Sequence, residues 1–292
     1  MTIHDPHMLN PLDLSNIIDD DTEFIPLLSQ EDEDQMNQQD IPDILSILPL
    51  RNTVLFPGVV IPITVGRDKS INLIKDAYKG EKIIGVVAQR DVGIEDPKFE
   101  DLNSVGTVAH VLKMLRMPDG NTTIIIQGKR RFKLDKCVQS EPYIRCTVKA
   151  FPETKASTTD KEFMAVVASL KDLALQIIQQ SPNIPSDAAF AIRNIESHTF
   201  LINFISSNSN LDVIKKQELL EIADHKERAT RVLEHLSKEL QMLELKNQIQ
   251  SKVRTDIDKQ QREYFLNQQL RTIQEELGGN SPDREISEIR ER

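Results

Sequence analysis

A loop that cradles phosphates needs G-x-x-x-x-G-K-[ST], because its glycines let backbone N–H groups approach the oxygens and its lysine neutralises their charge. The nearest approach to it in this 292-residue sequence is Gly66-Arg67-Asp68-Lys69-Ser70, which lacks both the spacing and the second glycine. Asp68 reads better as a helix cap. No Ser and Lys pair sits in a recognisable nucleophile context. The six histidines are scattered, and neither His225 and His235 nor either cysteine has metal-ligand spacing. The sequence therefore predicts hydrolysis of neither ATP nor peptide bonds, with no catalytic, cofactor or metal site in this chain. Cys137 and Cys146 flank a Glu141-Pro142 turn. They read as free buried thiols of a cytosolic protein, with a disulfide as the alternative.

Two groups of cations raise the question of nucleic acid. Lys246, Lys252, Arg254, Lys259 and Arg262 are interleaved with Glu244, Asp256, Asp258 and Glu263, the pattern of a solvated helix with i,i+4 pairs. Lys129-Arg130-Arg131 is a small patch after a strand, and three cations alone give weak, salt-dependent binding. The net charge of −10 is local: the first fifty residues hold twelve Asp and Glu and no Lys or Arg, leaving 36 basic against 34 acidic residues from Arg51 onward. Such an acidic arm repels nucleic acid and anionic lipid. No apolar run is long enough to span a membrane, and the acidic N-terminus resembles neither a secretory signal nor a transit peptide. The expectation is a cytoplasmic protein without a membrane partner.

The elements that must position any site fall into five segments. Residues 1–42 are polar and acidic and read as a disordered tail, because they cannot bury enough apolar surface to offset the entropy of ordering. Residues 43–152 carry short β-branched runs at Ile44–Leu50, Val59–Val65, Ile83–Gln89, Val105–Leu115, Thr122–Gln127, Phe132–Val138 and Tyr143–Phe151. One helix interrupts them, capped by Asp68 and ended by Gly80, with Ile71, Ile74, Ala77 and Tyr78 as its stripe. This pattern predicts a small closed or nearly closed barrel. After a polar linker, residues 158–224 read as a helical bundle, with a first helix over Asp160–Gln180, caps at Ser186 and Ser197, and Phe200, Leu201, Phe204 and Ile205 buried. Residues 225–278 form one very long helix, opened by the Asp224/Glu227 capping box and stopped at Gly278. At 1.5 Å per residue it would run roughly 80 Å, more than twice the roughly 35 Å width of a 110-residue body. Leu233, Leu236, Leu240 and Leu243 would face the bundle. Residues 279–292 read as a charged run without a stop signal, the start of a connection onward. The fold class is thus α+β: a small barrel with one helix, then an all-α bundle ending in a protruding helix.

Two stretches resemble a known family. Leu48-Pro49-Leu50-Arg51-Asn52-Thr53-Val54-Leu55-Phe56-Pro57-Gly58, continued by Ile61-Pro62-Ile63-Thr64-Val65-Gly66-Arg67-Asp68-Lys69-Ser70-Ile71, is similar to the opening of the N-terminal domain of Lon proteases. Val105-Gly106-Thr107-Val108-Ala109 and Met117-Pro118-Asp119-Gly120 fit the same domain. Gln261-Arg262-Glu263-Tyr264-Phe265-Leu266-Asn267-Gln268-Gln269-Leu270, with Ile273-Gln274-Glu275-Glu276-Leu277-Gly278, resembles the helix entering the family's ATPase module. The resemblance covers about residues 44–280, while the acidic tail departs from it. It implies a PUA-like barrel and helical bundle from a homohexameric ATP-dependent serine protease. The parent would use ATP and magnesium on an AAA+ module, carry a Ser-Lys dyad, degrade misfolded and short-lived regulatory proteins, and bind DNA weakly.

Under that resemblance this chain would recognise unfolded or degron-bearing substrates, whose shared feature is exposed apolar surface. The candidate contact residues are Phe56 and Pro57 in a turn, and Met114, Leu115, Met117 and Pro118 around a hairpin tip; methionine suits promiscuous contact. Core packing is the alternative for Phe56, Met114 and Leu115. Tyr264, Phe265, Leu270, Ile273 and Leu277 would meet the AAA+ module or a neighbouring subunit. Two rival readings are an RNA-binding PUA-like module and a coiled-coil scaffold or chaperone-like protein.

Overall fold

The computed structural model describes residues 41–116, 122–157, 159–181, 184–185 and 187–276. Six strands alternate with one helix: β1 Ile44–Leu50, β2 Val60–Val65, α1 Asp68–Lys79, β3 Ile83–Ala88, β4 Val105–Arg116, β5 Thr122–Gln139 and β6 Arg145–Ala150. The strand order is β2-β5-β4-β3-β1-β6, and β6 returns to pair with β5, so five of the ladders close into a circuit. Among the described strands β1 and β3 are the one parallel pair, joined by the crossover through β2 and α1.

Circuit closure depends on the length of β5. One edge pairs with β4; the other serves β2 over Thr122–Gln127 and β6 over Phe132–Gln139. The sequence reads two strands here, because Gly128 and three cations look like a break. They form one strand because Gly128 is a packing residue. An added Cβ would lie 2.3 Å from the Phe56 carbonyl oxygen. Its N–H donates to Val59 O, and its carbonyl accepts from Gly58 N, both at 2.9 Å. Register shifts at Leu134/Lys136 and Cys137/Gln139 then bend β5 around the core. That core includes Leu45, Ile47, Val87, Phe132, Ile144 and Cys146.

The helix α1 starts differently from the expectation. Arg67, not Asp68, occupies the N-cap, in extended conformation and without a side-chain cap bond. Its guanidinium is drawn instead to Gln89, 2.9 Å away. The buried stripe is Ser70, Leu73 and Ile74, with Ile71, Ala77 and Tyr78 half-covered at its edge.

The remaining elements are helices: α2 Lys161–Gln180, α3 Asp187–Asn194, α4 His198–Asn208, α5 Val213–Glu221 and α6 His225–Glu276. Asp160 caps α2 by accepting from Glu162 N and Phe163 N, and Ser197 caps α4 by accepting from Phe200 N. The expected cap at Ser186 falls outside the described residues. Phe200, Leu201, Phe204 and Ile205 are buried as the pattern requires, whereas Phe190 is exposed. Asp224 opens α6, its Oδ1 accepting from Lys226 N at 2.8 Å and Glu227 N at 2.9 Å. The buried stripe of α6 is Ala229, Val232, Leu236 and Leu240; Leu233 and Leu243 sit half-exposed at its margin.

The described residues from 41 to Leu240 make one compact unit, in which the bundle is bolted to the sheet: Asn203 donates to Pro57 O at 3.1 Å and Gln217 to Val105 O at 3.0 Å. A second unit begins at Gln241 and holds the rest of α6. At 1.5 Å per residue a 52-residue helix is about 78 Å long.

Candidate functional site

The start of α1, the 91–98 loop and the turn between β5 and β6 enclose a cleft of about 470 Å³. Its floor is apolar, with Ile47, Leu73, Phe99 and Ile144, and its rim carries Lys69, Asp96 and Glu141. Each wall is fixed by a side chain that the local sequence supplies. Gln89, buried just after β3, donates from Nε2 to Asp91 O at 2.6 Å and Ile94 O at 3.0 Å, and accepts from Arg67. Burial, then the charge of Arg51, lowers the Arg67 pKa from its ordinary value. Lys98 N donates to Asp101 Oδ2 at 2.8 Å, opening the 3-10 turn Phe99–Asp101 that sets Phe99 into the floor. Tyr143 Oη donates to Asp76 Oδ2 at 3.1 Å and pins the β5–β6 turn to α1. Its phenol is pushed up by burial first and by that bond second.

Lys69 joins the two lips. Its Nζ lies 2.8 Å from Asp96 Oδ2 and 2.9 Å from Glu141 Oε1. Those bonds, Asp96 first, raise its pKa above that of an ordinary lysine. Exposed pairs of this kind add little to stability, so the clamp can open without unfolding the wall beneath it. A cleft of this size with an apolar floor and a polar rim has room for one or two large apolar groups.

A second cluster joins sheet to bundle. Arg131 lies at 1% exposure, and its Nε donates to Glu153 Oε1 at 2.7 Å. Its Nη1 donates to the carbonyls of Leu220 and Ile222, both at 2.6 Å, and its guanidinium lies 4.6 Å from the Phe151 ring centroid. Glu153 Oε2 meets His225 Nε2 at 3.2 Å, and Arg228 is buried nearby. Burial pushes the Glu153 carboxyl up, but the His225 bond and the charges of Arg131 and Arg228 outweigh it and hold the group at about 2. Backbone bonds from Thr154 N to Ala223 O and from His225 N to Thr154 O complete the joint. Arg131 is therefore no part of a surface basic patch: it points inward because the last carbonyls of the α5 turn need a donor.

The sequence-predicted contact residues lie elsewhere. Phe56 has no exposed surface and is core, because its turn sits where Gly128 and α4 close over it. Pro57 is half-buried with its carbonyl taken by Asn203. Met114 and Leu115 are half-buried near the end of β4, and none of these four lines the cleft. Met117 and Pro118 lie outside the described residues. In the second unit Tyr264, Phe265, Leu270 and Ile273 are each more than half exposed, while Leu277 is outside the described residues. The cleft escaped sequence reasoning because Lys69, Asp96 and Glu141 belong to three separate segments. The only local hint was the Arg67/Lys69 pair in the failed phosphate motif. Among the described residues no cluster could hold a metal and no helix is long and apolar enough to cross a membrane.

Residues 44–238 match the family described as the ATP-dependent protease La (LON) substrate-binding domain, and the chain belongs to that family. It is 59% identical over 271 residues to the Lon protease of Flavobacterium johnsoniae, covering 93% of this chain and 33% of that protein. Against the Lon protease of Cytophaga hutchinsonii the identity is 50%, over 92% of this chain and 33% of the relative. The chain thus spans about a third of the length of these relatives. The N-terminal domain of a Mycobacterium avium complex Lon protease superposes with a TM-score of 0.56 at 24% identity, over 66% of this chain and 98% of that one, a likeness of fold.

Proposed function

We propose that this chain is the substrate-recognition region of a Lon-type ATP-dependent serine protease, and that the cleft between α1, the 91–98 loop and the β5–β6 turn takes apolar side chains of unfolded or degron-bearing proteins. The match of residues 44–238 to a substrate-binding domain carries the reading. The closed circuit of ladders supports a PUA-like barrel. The half-exposed Met114 and Leu115, with Met117 and Pro118 beyond them, form a secondary contact; Phe56 does not take part. The parent enzyme would work in the cytoplasm as a homohexamer. Its ATP and magnesium belong to an AAA+ module; no residues of this chain have the spacing to hold them. The apolar residues of α6 beyond Leu240 would contact that module or a neighbouring subunit.

The test is fluorescence anisotropy with a labelled, permanently unfolded protein. Phe99→Asp places a carboxylate in the cleft floor and is expected to weaken binding about tenfold, the loss of one contact worth 1–2 kcal/mol. A folded Phe99→Asp chain, checked by circular dichroism, that binds with unchanged affinity would remove the cleft from the proposal. RNA that competes for the same site, more weakly as salt rises, would favour the nucleic-acid alternative.

A further inference from the structure

The strands β5 and β6 place Cys137 directly opposite Cys146. Opposed residues of an antiparallel pair have Cα atoms roughly 4.5–5.5 Å apart, inside the roughly 4.4–6.8 Å range that a disulfide spans. Both are free thiols, and they differ in surroundings, since the sequence expectation of two buried thiols holds for one alone. Cys137 is exposed, lines the cleft, and donates from Sγ to Gln139 O at 3.3 Å. Cys146 is wholly buried in the core cluster. Burial first, and the neighbouring Cys137 second, pushes its thiol up to about 12. The register shift between Cys137 and Gln139 leaves the strand a bulge, where the backbone can adjust as the sulfurs approach.

We propose that Cys137 and Cys146 are a redox pair that a hydroperoxide converts into a cross-strand disulfide in the wall of the cleft. The exposed Cys137 reacts first. Its thiol ionises and the thiolate attacks the terminal oxygen of the hydroperoxide; an S–O bond forms, the O–O bond breaks, and the departing oxygen takes up the proton the thiol released and leaves as alcohol or water, giving a sulfenic acid. The Cys146 sulfur then attacks the Cys137 sulfur. The S–S bond forms, the S–O bond breaks, and the hydroxide leaves as water with the Cys146 proton. Two thiols have lost two electrons to one peroxide, and a dithiol returns them by exchange. The new bond ties off the hairpin segment carrying Glu141, Tyr143 and Ile144, all of which line the cleft. This inference needs only the thiol geometry and stands apart from the proposed function.

The experiment treats the full chain, reduced beforehand, with one equivalent of hydrogen peroxide and reads intact mass. Disulfide formation lowers the mass by about 2 Da and is reversed by dithiothreitol. The denatured oxidised chain then takes up no maleimide, whereas the reduced chain takes up two. Cys146→Ser is expected to stop at a sulfenic acid that dimedone traps at residue 137, and Cys137→Ser, on the surface, to lose the peroxide response while keeping its fold. The proposal is overturned if wild type gains about 32 Da, the sulfinic acid, while Cys146 remains alkylatable after denaturation. Linkage between two chains through Cys137 would overturn it equally.

Discussion

Arg131 and Glu153 show how a single residue can be misplaced by its neighbours in sequence. Arg131 follows Lys129 and Arg130 and so reads as surface charge, and Glu153 follows Pro152 in what reads as a polar linker. Neither the β5 register nor the carbonyls at the end of α5 are local information, so the buried ion pair was illegible until the chain had closed. Breaking such a pair by removing one partner leaves an uncompensated charge. Arg131→Met is therefore expected to destabilise the unit ending at Leu240 by about 3–5 kcal/mol in urea unfolding. The pH dependence has a definite sign. The Glu153 carboxyl sits at about 2 in the folded chain against an ordinary 4.5. The folded state therefore releases the proton more readily than the unfolded one, and the stabilisation is complete above the unfolded value. It fades as pH falls from about 5 towards 2, with a total of about 3 kcal/mol. In urea titrations at pH 7, 5 and 3.5, Glu153→Gln should be less stable at pH 7 and should lack this share of the acid loss. Parallel curves for wild type and variant would show that the carboxylate is not the source.

At the scale of elements, most boundaries were readable wherever the signal was local. Ser197 and Asp224 announce their helices through cap chemistry, and the side-chain oxygen of each accepts from the backbone of its helix's first turn. The failures came where a long-range partner overrode a local preference: Arg67 displaced Asp68 from the cap because Gln89 offered a bond, and Gly128 joined two strands because the Phe56 turn packs against it. The caps and the glycine make opposite demands on a mutation. Asp224→Ala removes a cap from two backbone donors and should cost about 1 kcal/mol, seen as a lower melting temperature with an unchanged fold. Gly128→Val forces a side chain against the Phe56 carbonyl and should cost about 3 kcal/mol or more by overpacking. It should also raise hydrogen exchange in β2, which among the described strands pairs with β5 alone. A Gly128→Val chain as stable as wild type would mean that the turn and strand do not meet as described.

Over the whole molecule, the length of α6 was legible because 52 residues without Gly or Pro leave few alternatives. Which unit its far part belongs to was not, since only packing decides that. Met242, Leu245, Ile249, Val253 and Ile257 are all about half exposed or more, as are Leu266, Leu270 and Ile273. At about 100° per residue the first set makes one seam and the second an adjoining one, and the two meet where Leu270 falls within about 20° of Leu245. Two adjoining apolar seams on one helix suit the contact proposed above, with the AAA+ module or a neighbouring subunit. If assembly works through these seams, recognition gains by avidity: one cleft binds an unfolded chain weakly, and several held together retain it orders of magnitude longer without any new contact. The prediction separates cleft from helix. A chain cut after Leu240 should keep its unfolding free energy within about 0.5 kcal/mol, because distant sites are additive, and should keep the single-cleft affinity. Fused to a hexameric ring, the full chain should bind an unfolded protein with several exposed apolar segments at least about a hundredfold more tightly than the monomer does. A ligand with one such segment should gain nothing. Equal affinity of monomer and ring for the multivalent ligand would mean that each cleft acts alone, and the seams of α6 would then need a purpose other than gathering clefts.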